Sequence, residues 1–248
     1  MALRRVRAVA RLLHAVVHGL HGLGIVLFRF PRLGREERLA RIRWWSAKML
    51  RALGIALRVD GTPARGGSLL ALNHISWLDI MVVHAVVPEA RFVSKADVKG
   101  WPLISRLVDS AGTLYLERER KRDALRVVHA MSEALAAGQT VAIFPEGTTS
   151  TGHGLLPFHA NLLQAAISTA TPVQPVALRF ADSTHAVSEA MEFVGATTLA
   201  ESLWKTACGD GVVARVAFLA PRDSAGVDRR ELAAALRADI AGALGVGP

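Results

Sequence analysis

The apolar run Leu69–Leu72 stops at Asn73-His74, and a second apolar run starts at Trp77 and extends to Val87. A short aliphatic run without polar alternation fits a buried strand, and the longer run fits a helix. The chain must therefore turn from strand to helix over residues 73–76, carrying a histidine into the corner. Asp79 lies five residues beyond His74. On a continuous helix that spacing sets two side chains about 140° apart, at about 100° per residue. The two can pair only across a bend, and the corner supplies one. An imidazole paired with a carboxylate at the end of a buried strand is the arrangement of a general base with its orienting group.

The same alternation recurs downstream. Strands are expected at 55–59, 68–72, 91–94, 112–116, 141–144, 173–180 and 214–219, with helices between several of them. That order predicts an α/β fold: a mixed, partly parallel sheet flanked by helices. In such sheets functional residues gather at the carboxyl ends of strands. His74, Arg118 and Glu146 each follow such an end, which predicts that they share a cleft. Pro172 and Pro175 place the 173–180 strand at an edge or a bulge.

The N-terminal 54 residues read differently from the α/β body at 55–248. Of 30 Lys/Arg and 21 Asp/Glu, residues 1–60 hold 13 and three, and the remainder is close to neutral. Arg4, Arg7, Arg11, His14, His18 and His21 follow spacings of three and four, one stripe of a helix. Val6, Val9, Leu12, Leu13, Val16, Val17, Leu20 and Leu23 fill a wide apolar face. The uncharged window Leu12–Phe28 spans about 25 Å of helix, against a hydrocarbon core of about 30 Å. This predicts a helix lying in one leaflet, with a true span and a signal peptide as the alternatives. The histidines read as a weakly polar face and not as metal ligands. Protonation of His14, His18 and His21 is expected to strengthen binding to anionic vesicles as pH falls. A second helix over 36–53 mixes basic residues with Trp44 and Trp45, which suits a lipid surface better than nucleic acid. The single cysteine, Cys208, excludes an internal disulfide.

The chain lacks a Gly-x-Ser-x-Gly elbow, a Walker loop, a dinucleotide fingerprint and a His-Glu-x-x-His pair. What remains is a base that activates the substrate's own hydroxyl or amine. Lys95, after a strand end, is a candidate contact for an anion or a thioester oxygen. Two other classes stay open. One is a non-catalytic membrane- or nucleic-acid-binding protein acting through residues 1–60. The other is a thioesterase or other hydrolase, with water as the acceptor.

Four ordered blocks carry a resemblance. They are Asn73-His74-Ile75-Ser76-Trp77-Leu78-Asp79, Gly112-Thr113-Leu114-Tyr115-Leu116-Glu117-Arg118, Phe144-Pro145-Glu146-Gly147-Thr148-Thr149-Ser150 and Val173-Gln174-Pro175-Val176. Together they resemble the glycerolipid acyltransferases, the lysophosphatidic acid acyltransferase family, over roughly residues 40–220. The resemblance implies that His74 is the general base and that Asp79 orients it. It implies an acceptor hydroxyl attacking the thioester of acyl-CoA or acyl carrier protein, with no cofactor or metal. It associates Arg118, Glu146 and Gly147, in a loop with Thr148 and Thr149, with the acceptor's phosphate. Glu146 is expected to position the loop or a basic side chain. Pro175 is expected to shape the acyl-donor side. Membrane lipids are the implied partners, and nucleic acid is not. The implied location is the cytoplasmic face of the inner (plasma) membrane, monotopic or single-span. The third block often reads Glu-Gly-Thr-Arg-Ser in that family, whereas Thr149 stands here in place of arginine. The implied acceptor is first 1-acyl-glycerol-3-phosphate, with lyso-ornithine lipid, which lacks phosphate, as the alternative.

Overall fold

The computed structural model describes residues 2–64, 66–95, 102–116 and 121–247. Seven strands form one sheet: β1 (Ala56–Gly61), β2 (Leu69–Leu72), β3 (Arg91–Lys95), β4 (Leu114–Leu116), β5 (Val141–Ile143), β6 (Val173–Ala181) and β7 (Val213–Phe218). Their order is β1-β7-β6-β2-β5-β3-β4. All pairs are parallel except β6 with β7. The expected mixed α/β sheet is thus present, and β2, β4 and β5 bring their carboxyl ends to one edge.

β2 is fully buried because helices cover both of its faces. Leu70 and Leu72 point into a core completed by α2 (Arg35–Ala52) and α3 (Leu78–His84), through Leu50, Leu53, Leu78 and Val82. Leu69 and Ala71 point the other way. They meet Met131 and Leu135 of α5 (Lys121–Ala136), Ala165 of α6 (Gln164–Ser168) and Leu236 of α8 (Arg229–Leu244). α4 (Pro102–Ser110) precedes β4, and α7 (Leu199–Cys208) precedes β7.

The 173–180 strand is interior, between β7 and β2, and not at an edge. The prolines are accommodated by substitution of one donor and a step in register. Pro175 accepts from the Leu219 amide (3.0 Å) but has no N–H to return. The Gln174 side chain donates to the Leu219 carbonyl instead, at 2.9 Å. Between the Val173–Arg222 bridge and the Val176–Phe218 pair, the β7 side carries one extra residue.

α1 (Ala2–Gly24) continues through a π-helical turn (Ile25–Arg29) and a short 3₁₀ turn, then reverses into α2. Arg4, Arg7, Arg11 and His18 of its polar stripe meet the protein, while His14 and His21 are exposed. Arg4 and Arg11 donate to the carbonyls of Ala207, Cys208 and Gly209 at the end of α7, and Arg7 pairs with Asp210. These cations meet carbonyls that the helix terminus leaves unpaired. His18 is buried, donating Nε2–H to the Trp45 carbonyl at 3.0 Å, while Trp45 Nε1 donates to the His18 carbonyl at 3.1 Å. Gly22 permits this approach, since a Cβ there would lie 2.1 Å from Trp45 Nε1. The expectation that His18 is free to charge is therefore corrected. Burial lowers its pKa, and the Trp45 hydrogen bond only partly offsets that. The opposite face, with Leu3, Val6, Leu13, Val16, Val17 and Leu20, is exposed, reaching 83% at Leu3.

Candidate active site

The corner after β2 is built almost wholly from polar contacts. At Asn73 the strand ends but its ladder goes on through a side chain. The carboxamide donates to the Leu178 carbonyl (2.9 Å) and accepts from its amide (2.8 Å). The next residue, His74, sends its backbone N–H to Glu146 Oε1 (2.7 Å). Its carbonyl accepts from the Ser150 amide (2.7 Å) and hydroxyl (3.2 Å).

Asp79, in the first turn of α3, reaches back across the bend and is completely buried. Its Oδ2 accepts from His74 Nδ1 (2.8 Å), Ile75 N (2.7 Å) and Ser76 N (3.0 Å). One oxygen therefore holds both the ring and the backbone that carries it. Because a carboxylate only accepts, Nδ1 carries the proton and Nε2 presents its lone pair. The ring stacks on Phe144, with centroids 3.8 Å apart, and its side chain keeps 18% exposure. Such an imidazole is fixed in orientation and tautomer and open to a substrate at one nitrogen.

The third block forms the facing lip. Phe144–Gly147 is a turn closed by Gly147 N to the Phe144 carbonyl (3.0 Å), with Gly147 at φ +71°. Glu146 is buried and divides its carboxylate between two amides, His74 at Oε1 and Leu156 at Oε2 (2.8 Å). Burial raises its pKa, and these two hydrogen bonds oppose the rise. Thr148 is exposed. Thr149 is half-buried and donates its hydroxyl to the Phe193 carbonyl. The Phe193 amide in turn donates to the Ile75 carbonyl at 3.2 Å. A single residue between β6 and α7 thereby ties the two lips together.

Of the site residues expected from sequence, the structure thus gathers His74, Asp79, Glu146, Gly147 and Thr149 at one corner. Pro175 sits elsewhere, buried inside the sheet as the β6 neighbour of Ala71. Strand alternation puts its ring on the α8 side, away from the Phe144 side of the sheet. Lys95 ends β3 opposite Leu116 of β4, and its side chain lies outside the described residues, as does all of Arg118. The residues sequence reasoning missed are Asn73, Phe144 and Phe193 as supports, together with Ser202 of α7, which accepts from Trp77 Nε1 at 3.1 Å. Among the described residues, no group of three His, Cys, Asp or Glu is placed to hold a metal.

The Acyltransferase family model matches residues 56–179, half of the chain, from β1 to within β6. The chain belongs to this acyltransferase family. Lyso-ornithine lipid O-acyltransferase of Pseudomonas aeruginosa is 36% identical over 93% of this chain and 90% of its own length. The 1-acyl-sn-glycerol-3-phosphate acyltransferase of Neisseria meningitidis is 39% identical over 71% of this chain and 69% of its own. The crystal structure of the LPA acyltransferase PlsC from Thermotoga maritima shares the fold. Its TM-score is 0.76 at 21% identity, covering 98% of this chain and 96% of that one. The resemblance drawn from the four blocks is borne out, and the chain is an O-acyltransferase of lipid metabolism. Its apolar N-terminal helix is long enough to cross a membrane by length and composition.

Proposed function

We propose that this acyltransferase moves a fatty acyl chain from a thioester, acyl-CoA or acyl carrier protein, to the free hydroxyl of a lysolipid. The observation that carries the reading is the His74–Asp79 pair, with Nε2 open to the cleft. The acceptor hydroxyl gives its proton to Nε2 as its oxygen attacks the thioester carbonyl. The tetrahedral intermediate collapses, the C–S bond breaks, and the leaving thiolate takes the proton from the imidazolium. Asp79 stabilises that imidazolium by charge and by position. Glu146 acts on the backbone of His74, holding the base at the lip.

The acceptor on this reading is 1-acyl-glycerol-3-phosphate, in keeping with the Neisseria relative. Thr149 favours a second reading, lyso-ornithine lipid. Where a guanidinium could bind phosphate, this chain has a neutral hydroxyl whose proton is engaged by Phe193. The Pseudomonas relative, matched along nearly the whole chain, carries that name.

The same proposal places the enzyme monotopically on the cytoplasmic face of the inner membrane. α1 has one face committed to α2 and α7 and one apolar face exposed. A helix with its arginines and His18 bonded to the body suits partial immersion better than full encirclement by lipid.

The deciding experiment supplies purified enzyme in micelles with acyl-CoA and either lysophosphatidic acid or lyso-ornithine lipid, and follows thiol release. Turnover should require one of the acceptors and should vanish in His74→Ala. Thiol release at an equal rate without any acceptor would make the protein a thioesterase.

A further inference from the structure

At the amino ends of β3, β4 and β5, on the sheet edge opposite His74, lies a cavity of about 560 Å³. That size is within the range of small-molecule sites. One wall is a stripe of α2, Arg35, Arg38, Leu39 and Ile42, preceded by Leu33. The facing wall includes Pro88, Glu89 and Arg91. Three guanidiniums thus meet one carboxylate. Among the described residues none of the three has a carboxylate partner.

Arg91 is pre-set, its Nε donating to the Gly112 carbonyl (2.7 Å) and its Nη1 to Gln139 Oε1 (2.8 Å). That leaves Nη2 for a ligand. Arg38 lies over the Phe30 ring at 5.9 Å. Glu36 and Glu37 share the first turn of α2 but do not line the cavity, and Glu37 is spent capping the Gly34 amide. Leu33, on the apolar side of the cavity, follows by a few residues the exposed Leu27 and Phe28, which lie in the π-helical turn that continues α1.

We propose that this cavity binds the phosphate of an anionic membrane phospholipid through Arg35, Arg38 and Arg91, with its acyl chains leaving over Leu33 and the Leu27–Phe28 turn. Guanidiniums suit phosphate because they offer paired donors in a fixed plane. The apolar wall selects a lipid-borne phosphate over a free one. The site is separate from the catalytic corner and rests on the lipid-facing reading of α1, not on the role of His74.

The test titrates the full-length protein in a nonionic detergent with monomeric short-chain phosphatidylglycerol. Removing two guanidiniums in Arg35→Gln/Arg38→Gln should weaken binding by about tenfold or more. Ile42→Trp keeps every charge but fills the cavity, and should do the same. The control Arg41→Gln/Arg51→Gln removes equal charge from exposed positions of α2 outside the cavity, and should change affinity by less than about twofold. His74→Ala should bind as wild type while losing acyl transfer, which separates this proposal from the catalytic one. Equal losses in the cavity and control pairs would overturn it, as would wild-type binding by Ile42→Trp. Equal binding of short-chain phosphatidylcholine would refute the role of net charge. Inorganic phosphate that displaces the lipid at equal concentration would overturn the lipid assignment in favour of a free anion.

Discussion

Two histidines hold two different parts of this molecule, and their partners set them apart. His74 at the end of β2 is bonded to a buried carboxylate, with one ring nitrogen left to the cleft. His18 in α1 is bonded to a backbone carbonyl, stacked on Trp45 and met edge-on by Trp44. At His18 burial outweighs the help that the Trp45 carbonyl gives to the charged ring, whereas at His74 Asp79 sets a carboxylate against the ring. His74 is therefore equipped to accept a proton and His18 to refuse one. The corner is determined from inside, by hydrogen bonds to Asp79 and Glu146. α1 is half determined from outside, because its apolar face has no partner among the described residues.

Breaking the inner arrangement should cost the most. Asp79→Asn removes the charge under His74 and disturbs its tautomer. kcat should fall by about a hundredfold or more, with KM for the acceptor little changed. A near-normal kcat would reduce Asp79 to a helix-terminal carboxylate. Glu146→Gln comes next. The carboxamide has one accepting oxygen and its nitrogen only donates, so either the His74 or the Leu156 N–H loses its acceptor, at about 1–3 kcal/mol for a buried group. A roughly tenfold loss of kcat is expected, because the backbone that carries His74 is no longer held by a full carboxylate. A near-normal kcat would mean that this bond does not set the position of the base.

The outer region should answer to different measurements. Leu13→Glu/Val16→Glu places charge on the exposed face of α1. Vesicle partitioning should drop by about tenfold or more, while turnover in micelles stays within about twofold. If partitioning is unaffected, another surface meets the lipid. The smallest effect concerns His18. Its pKa is lowered in the folded protein, so the unfolded chain binds its proton more readily. Stability from the α1–α2 contact is complete above the unfolded pKa of about 6.5 and declines as pH falls below it. The loss should be about 1 kcal/mol or less, read from hydrogen exchange in α1, and absent in His18→Gln. Lys48, His14 and His21 also disfavour charging His18, so acid should weaken this contact at the same time as it charges any exposed histidine.

The strands were legible because most are short apolar or alternating runs bounded by glycine, proline or charge, and the His74–Asp79 pairing followed from the bend between β2 and α3. α7 was missed although its start is written locally. Thr198 accepts from the Glu201 amide while the Glu201 carboxylate takes the Thr198 N–H, a capping box four residues long. The interior place of β6 was hidden by Pro175, since no local rule foretells that Gln174 would supply the missing donor. The facing of α1 was also beyond periodicity. A 3.6-residue pattern shows that two faces differ, but not which one meets protein when the other meets lipid. The Phe193 bridge joins positions 44 and more residues apart and has no linear signature.

That bridge has a consequence for what can be transplanted. The family match ends at residue 179, yet Phe193 and Ser202, which hold the two lips and Trp77, lie beyond it. A chain trimmed to the matched span would keep every motif residue and lose the clasp that sets their spacing. The portable unit of this enzyme is longer than its signature.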